Sequence, residues 1–106
     1  MWIRSAFWTG EPVEPEVFDK AINAELVPAL GKLPGVSSAR ALWPRRLEDG
    51  PPAIYCQIIV EFADLAALET MLASAERRAM RERVREVAAS FNGHISHIDY
   101  EVGVAG

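Results

Sequence analysis

Residues 53–62 read Ala53-Ile54-Tyr55-Cys56-Gln57-Ile58-Ile59-Val60-Glu61-Phe62. Successive side chains of a strand point to opposite faces, so Ile54, Cys56, Ile58, Val60 and Phe62 share one face and Tyr55, Gln57, Ile59 and Glu61 the other. The first face is wholly apolar and belongs against a helical layer. The second carries Tyr55 and Ile59 where a face open to water would be polar at every alternate position. This stretch therefore predicts a half-buried strand whose second face also needs cover.

Working outward from it, Asp64 offers an N-cap and Leu65, Leu68, Met71 and Leu72 follow at helical spacing. Ser74 offers a second N-cap, and Met80, Val84, Val87, Ala88 and Phe91 make another apolar stripe. A broken helix over 64–73 and 75–91 is expected, stopped by Asn92-Gly93. His94 to Val104 alternates as a last strand. In the other direction, Arg45 to Pro52 is turn chemistry, too short for a helical crossover, and joins the strand to another over Val36–Trp43. Before that, Phe18, Ile22, Leu26, Ala29, Leu30 and Leu33 mark a helix opened by Pro15 and interrupted by Pro28, which should kink it or end its regular part near Val27. Trp2 to Thr9 is a first strand, broken by Gly10-Glu11-Pro12. The order β-α-β-β-α-β predicts an α+β, ferredoxin-like fold: a four-stranded antiparallel sheet with both helices on one face. Self-association through the other face, as a homodimer, is the economical way to cover it.

The chain has 106 residues, 50% hydrophobic and 25% charged, with one cysteine and a formal net charge of −4. That length predicts a single domain over 1–106 with a core that stands without staples. Cys56 has no internal partner, which points to a reducing compartment or an inert buried thiol. Met1-Trp2-Ile3-Arg4 leads straight into strand pattern with no signal-peptide apolar core, and no long uncharged apolar run occurs, so a cytoplasmic protein is expected. The negative charge disfavours nucleic acid and anionic membranes as partners. No glycine-rich phosphate loop, Gly-x-Ser-x-Gly elbow or nucleotide fingerprint occurs, and no cofactor is expected.

Several segments together resemble the dimeric α/β-barrel superfamily, and within it the EthD-like and REDY-like proteins. They are the turn Leu33-Pro34-Gly35-Val36 after the first helix and the run Phe62-Ala63-Asp64-Leu65-Ala66-Ala67-Leu68 leading to Ser74-Ala75-Glu76. The resemblance spans most of the chain. It implies a cavity lined by the sheet face away from the helices, between sheet and helix or inside the barrel, mostly apolar with a few placed donors, suited to a small aromatic or polyketide-like ligand. Arg4, Arg40, Tyr55 and Gln57 would supply the polar groups, with Trp8 and Trp43 beside Trp2 as flat walls. Many EthD-like members carry a histidine late in the first helix; here Ala24-Glu25-Leu26-Val27-Pro28 has none.

His97 and Asp99 lie two apart on the last strand and share a face with Glu101. A carboxylate beside an imidazole can orient it and raise its basicity, so His97 and Asp99 are the candidate catalytic pair. His94 and His97 fall on opposite faces, and no Cys/His spacing supplies a metal site. The run Glu76-Arg77-Arg78-Ala79-Met80-Arg81-Glu82-Arg83 reads as a solvated helix face, Glu82 pairing Arg78 or Arg85. Two functions compete: a homodimeric small-molecule-binding protein or cofactor-independent enzyme, and a non-catalytic interaction or stress-response dimer. RNA stacking on Trp8 and Tyr55 is opposed by the charge, and haem chemistry by the missing helix histidine.

Overall fold

A computed structural model describes residues 1–104. Its strands are β1 (Trp2–Pro12), β2 (Ser38–Leu42), β3 (Ile54–Phe62) and β4 (Phe91–Glu101). They form one antiparallel sheet in the order β2-β3-β1-β4. Helix α1 (Pro15–Ala21) runs through a π-helical turn at Ile22–Leu26 into α2 (Val27–Gly31). Between β3 and β4 come α3 (Leu65–Ala73), α4 (Ala75–Ala79) and α5 (Arg81–Ala89). Four antiparallel strands under helices packed on one face are the ferredoxin-like fold. Among the described residues no helix is long and apolar enough to cross a membrane.

The alternation in β3 is realised as read: Cys56, Ile58, Val60 and Phe62 are buried, with half-buried residues between them. Register then assigns the other strands. Trp2, Arg4, Ala6 and Trp8 stand opposite Phe62, Val60, Ile58 and Cys56, so these residues of β1 face the helices. Across β4 the same residues meet Glu101, Asp99, His97 and Ile95. The core joins this face to Phe18, Ile22 and Leu26 from the first helical stretch and to Leu68, Met71 and Val87 from the second. The N-caps are those expected: Ala67 N–H donates to Asp64 Oδ1 at 2.8 Å and Arg77 N–H to Ser74 Oγ at 3.1 Å.

Four expectations are corrected. Gly10-Glu11-Pro12 and Asn92-Gly93 do not end elements; they pair, and the β1–β4 ladder runs on to Pro12 and Phe91. The pairing works because Gly10 (φ 130°) and Gly93 (φ 159°) stand opposite each other, where a Cβ on either would strike the facing backbone carbonyl of Asn92 or Thr9. The regular part of the first helix does not end near Val27. Regular α geometry stops at Ala21, the wider π turn passes the residues whose carbonyls the proline ring would strike, and α geometry resumes at Val27. The helix expected over 75–91 is two, because the Met80 N–H closes back onto the Arg77 carbonyl and tightens the chain between them.

Tyr55 is the fourth. The β1–β3 register slips between Trp8, which faces Cys56, and Thr9, which faces Ile54, leaving Tyr55 as the extra residue of a bulge. Alternation fails there and Tyr55 joins Cys56 on the helical side. Its hydroxyl donates to Asp19 Oδ1 at 2.7 Å, and its ring meets Phe18 edge-on at 5.6 Å.

The turn after α2 depends on Gly35, whose φ is 83° and whose absent Cβ leaves room for the Ala67 carbonyl oxygen. Gly35→Ala should therefore cost about 2 kcal/mol or more in urea unfolding, strain plus collision. Gly50→Ala, at φ 68° with open space around it, should cost only the backbone strain, about 1 kcal/mol. Equal losses would show that the contact with Ala67 does not constrain the fold.

Candidate functional site

The helices do not fill the space above β1 and β4. Between them lies a half-open cavity of about 340 Å³. Its floor is Arg4, Ala6 and Trp8 of β1 with Ile58 and Val60 of β3 and Ile95 and His97 of β4. Its roof is Leu26 from the π turn, Leu30 from α2, Met71 from α3, and Arg77, Met80, Arg81, Val84 and Arg85 from α4 and the start of α5. The room comes from residue size: Ala6 sits directly opposite His97, between the larger Arg4–Asp99 and Trp8–Ile95 pairs.

At one end Trp8 is 2% exposed and stands edge-to-face with Phe18 (5.1 Å) and Phe91 (5.4 Å). Its indole Nε1–H is buried without a hydrogen-bond partner. A buried donor left unmade costs about 1–3 kcal/mol, which the aromatic packing around Trp8 has to offset. At the other end, Arg4 Nη1 donates to both carboxylate oxygens of Asp99, at 2.9 and 3.1 Å.

That pair corrects the relation expected between His97 and Asp99. They share a face, but the Asp99 carboxylate is engaged by Arg4, directly opposite it, and makes no hydrogen bond to the imidazole among the described residues. His97 lines the cavity from an edge strand and is itself exposed; partial desolvation, then the charges of Arg4 and Arg77, hold its pKa below the ordinary value, and Asp99 offsets this only in part. The imidazole is therefore neutral at pH 7 and able to accept a proton or a hydrogen bond. The electrostatic setting is opposite to the one expected: cations around His97 outweigh its carboxylate neighbour.

The residues expected to bind ligand divide. Arg4 and Trp8 line the cavity with His97. The cavity lies on the helix-covered face rather than the bare one, so Arg40 and Gln57 are on the wrong side of the sheet for it. Arg40 pairs with Glu61, and Gln57 Nε2 donates to Ser5 Oγ at 3.2 Å. Trp43 packs edge-on against Tyr55 at 5.9 Å and, with Gln57, borders a separate depression under the prolines of the β2–β3 connection. Tyr55 is held in the core by Asp19, and burial followed by that hydrogen bond raises its pKa to about 12. Cys56 is buried beside it with its pKa raised to about 12, burial being the larger cause and Asp19 the smaller. Such a thiol is not a nucleophile at neutral pH. Among the described residues no group of three or more His, Cys, Asp and Glu is placed to hold a metal ion.

No family model matches the sequence, and no curated protein matches it. Solved structures do. An EthD family protein from Bacillus halodurans aligns with a TM-score of 0.77 at 16% identity, over 97% of this chain and 100% of that one. The cofactor-independent oxygenase SnoaB from Streptomyces nogalater, as its N63A mutant, aligns at 0.66 and 14% identity, over 98% and 93%. A dimeric ferredoxin-like protein of unknown function from Jannaschia sp. aligns at 0.63 and 21% identity, over 96% and 100%. The fold is EthD-like.

Within this EthD-like fold, the helix-borne arginines are the cavity residues that the sequence reading missed. Arg77, Arg81 and Arg85 recur every fourth residue, which puts them on one helical stripe even across the α4–α5 break. The signal was present, but the interleaved glutamates made the run look like an ordinary solvated face. They fall on other parts of the helix surface: Arg83 takes Glu86 and, from the first helical stretch, Glu25, while Glu82 stands 3.9 Å from Arg85.

Two measurements check these placements. Folding favours neutral His97, so the stability it contributes is complete above its ordinary pKa of about 6.5 and is lost as pH falls through that value toward the lower folded one. Wild type should lose unfolding free energy as pH falls below about 6.5 that His97→Gln retains; identical pH slopes would refute the shift. Tyr55→Phe should cost about 1–2 kcal/mol by leaving Asp19 unpaired, without altering ligand affinity in the cavity.

Proposed function

We propose that this chain is a small-molecule-binding protein that works as a homodimer and receives an aromatic or polyketide-like compound in the cavity between sheet and helices, without a cofactor. The cavity carries the reading: apolar walls of Leu26, Leu30, Ile58, Val60, Met80 and Val84, with His97 and the arginines at 4, 77, 81 and 85 as its polar groups. Pockets of this composition take flat apolar ligands and orient them by a small number of polar contacts. The similarity in fold to a cofactor-independent oxygenase supports the same reading. If the protein is an enzyme, His97 is the general base, a neutral imidazole placed to take a proton from a phenol or an enolisable carbon of the bound compound. Asp99 then acts through Arg4, holding it in place. The lone buried thiol Cys56 fits a reducing, cytoplasmic setting.

The homodimer rests on the face opposite the cavity. Ile3, Phe7 and Ile59 are half-buried there, while Leu42, Ile98 and Tyr100 are 39%, 46% and 42% exposed. Packing against a second copy removes this apolar surface from water. The similarity in fold to a dimeric ferredoxin-like protein supports it.

A panel of neutral naphthols and quinones in large excess over Kd should raise Tm by roughly 5 °C or more. Ala6→Phe, which fills the floor, should abolish the shift, and Val84→Phe, which fills the roof, serves if the first variant does not fold. No stabilisation by any member, nor by the corresponding aromatic acids, would overturn the binding reading. Ile98→Glu should convert a dimer to a monomer by light scattering while leaving the thermal shifts in place; a wild-type chain that is already monomeric would refute the homodimer.

A further inference from the structure

The chain carries four more negative than positive charges, yet its cavity is lined by Arg4, Arg77, Arg81 and Arg85 and by no Asp or Glu. These cations differ in what they touch. Arg4 is neutralised by Asp99 at 2.9 Å, and Arg85 stands near Glu82 at 3.9 Å. Arg77 and Arg81 have no ion-pair partner among the described residues, while Arg83, on the same helical segment, has two. Arg77 is half-buried and its guanidinium makes no hydrogen bond there, although burial and the charges of Arg4 and Arg81 both weigh against its protonated form. A guanidinium has five donors and stays charged, so half-buried Arg77 sets an uncompensated positive charge against the apolar recess, with exposed Arg81 at its rim. An apolar hollow with one sign of charge at its margin draws in the opposite sign.

The second observation is the rest of the lining: Leu26, Leu30, Ile58, Val60, Met80 and Val84 are apolar and offer no counter-charge. A pure hydrocarbon would fill this space and leave the guanidinium donors of Arg77 unmade, whereas an aromatic acid would answer both the apolar walls and the charge.

We propose that the ligand of this cavity is an aromatic carboxylate, its ring between the apolar floor and roof and its carboxylate on Arg77, with Arg81 adding charge at the rim. This rests on the cavity being the binding site and adds the charge of what it binds. Arg4, already engaged by Asp99, frames the recess without supplying the counter-charge. The planar fork of Arg77 suits a carboxylate better than a single point charge would. Arg77 is thus a specificity-determining residue: it discriminates an acid from its neutral isostere and leaves the apolar contribution to affinity unchanged.

The test compares 2-naphthoate with 2-naphthamide, which share ring and shape and differ in charge, by calorimetric titration of the full chain. Wild type should bind the acid about tenfold or more tightly than the amide. Arg77→Gln should remove most of the preference for the acid and leave the affinity for the amide unchanged. Because the Arg77 side chain makes no bond within the protein, this variant should fold like wild type; Arg81→Gln, further out, should narrow the preference without removing it. Equal wild-type affinities for acid and amide would overturn the carboxylate assignment and leave the cavity as a binding site. A preference undiminished by Arg77→Gln would overturn the role of Arg77. Failure of both probes to bind, with the neutral panel also silent, would overturn the cavity itself and this inference with it.

Discussion

β1 is paired along most of its length on both sides, with β3 and with β4, and that double register decides which side chains can meet. Residues directly opposite one another stand on the same face, so fixing Trp8 against Cys56 also fixes Ala6 against Ile58 and Arg4 against Val60. On the other flank the same three residues are set against Ile95, His97 and Asp99. A slip of one residue would send every one of these side chains to the opposite face. The Arg4–Asp99 pair, the space above Ala6 and the position of His97 are therefore consequences of one ladder rather than separate features. The Gly10–Gly93 crossing holds that ladder in register past the cavity, where side chains on both strands would drive the backbones apart.

The two irregular places in the chain flank the cavity and shape it. The bulge at Tyr55 spends an extra residue on β3, turning a large phenol into the core beside Phe18 and Phe91. Together with Trp8 these rings close one end. The π turn at Ile22–Leu26 lets a helix containing Pro28 continue over the sheet, which brings Leu26 and Leu30 onto the roof. A straight α-helix would meet the proline with a steric clash, and a helix ended there would leave Leu30 without a platform. Both irregularities cost hydrogen-bond regularity, and both place residues that regular geometry would place elsewhere.

Those irregularities also explain what could and could not be read from residue order. The element order, the antiparallel sheet and the buried set in β3 follow from periodicity, because alternation and helical spacing are local and strong in Ile54–Phe62 and Leu65–Leu72. The candidate site was legible only in part. Arg4, Trp8 and His97 lie on strands and obey parity, yet parity does not tell which face the helices cover for β1, where both faces are apolar. Tyr55 was misplaced because a bulge changes parity without leaving a glycine or proline to mark it. Asp99 was assigned to its neighbour on the strand when its partner, Arg4, is 95 residues away in the chain. The arginine stripe at 77, 81 and 85 was visible as spacing but could be given a direction only once the helices had been laid on the sheet.

Charge sharpens the contrast between this cavity and an ordinary core gap. A gap left by imperfect packing is lined by whatever apolar atoms surround it and costs stability in proportion to its volume. Here the lining is apolar at the centre but carries on its helical side the half-buried, unpaired guanidinium of Arg77. Packing alone would favour a larger residue at position 6 and an acidic one near Arg77, and both substitutions are chemically simple. The open floor and unbalanced charge persist side by side in a protein that has acidic residues to spare. An empty volume costs packing energy and an isolated cation costs desolvation energy, and a single bound aromatic anion removes both costs at once.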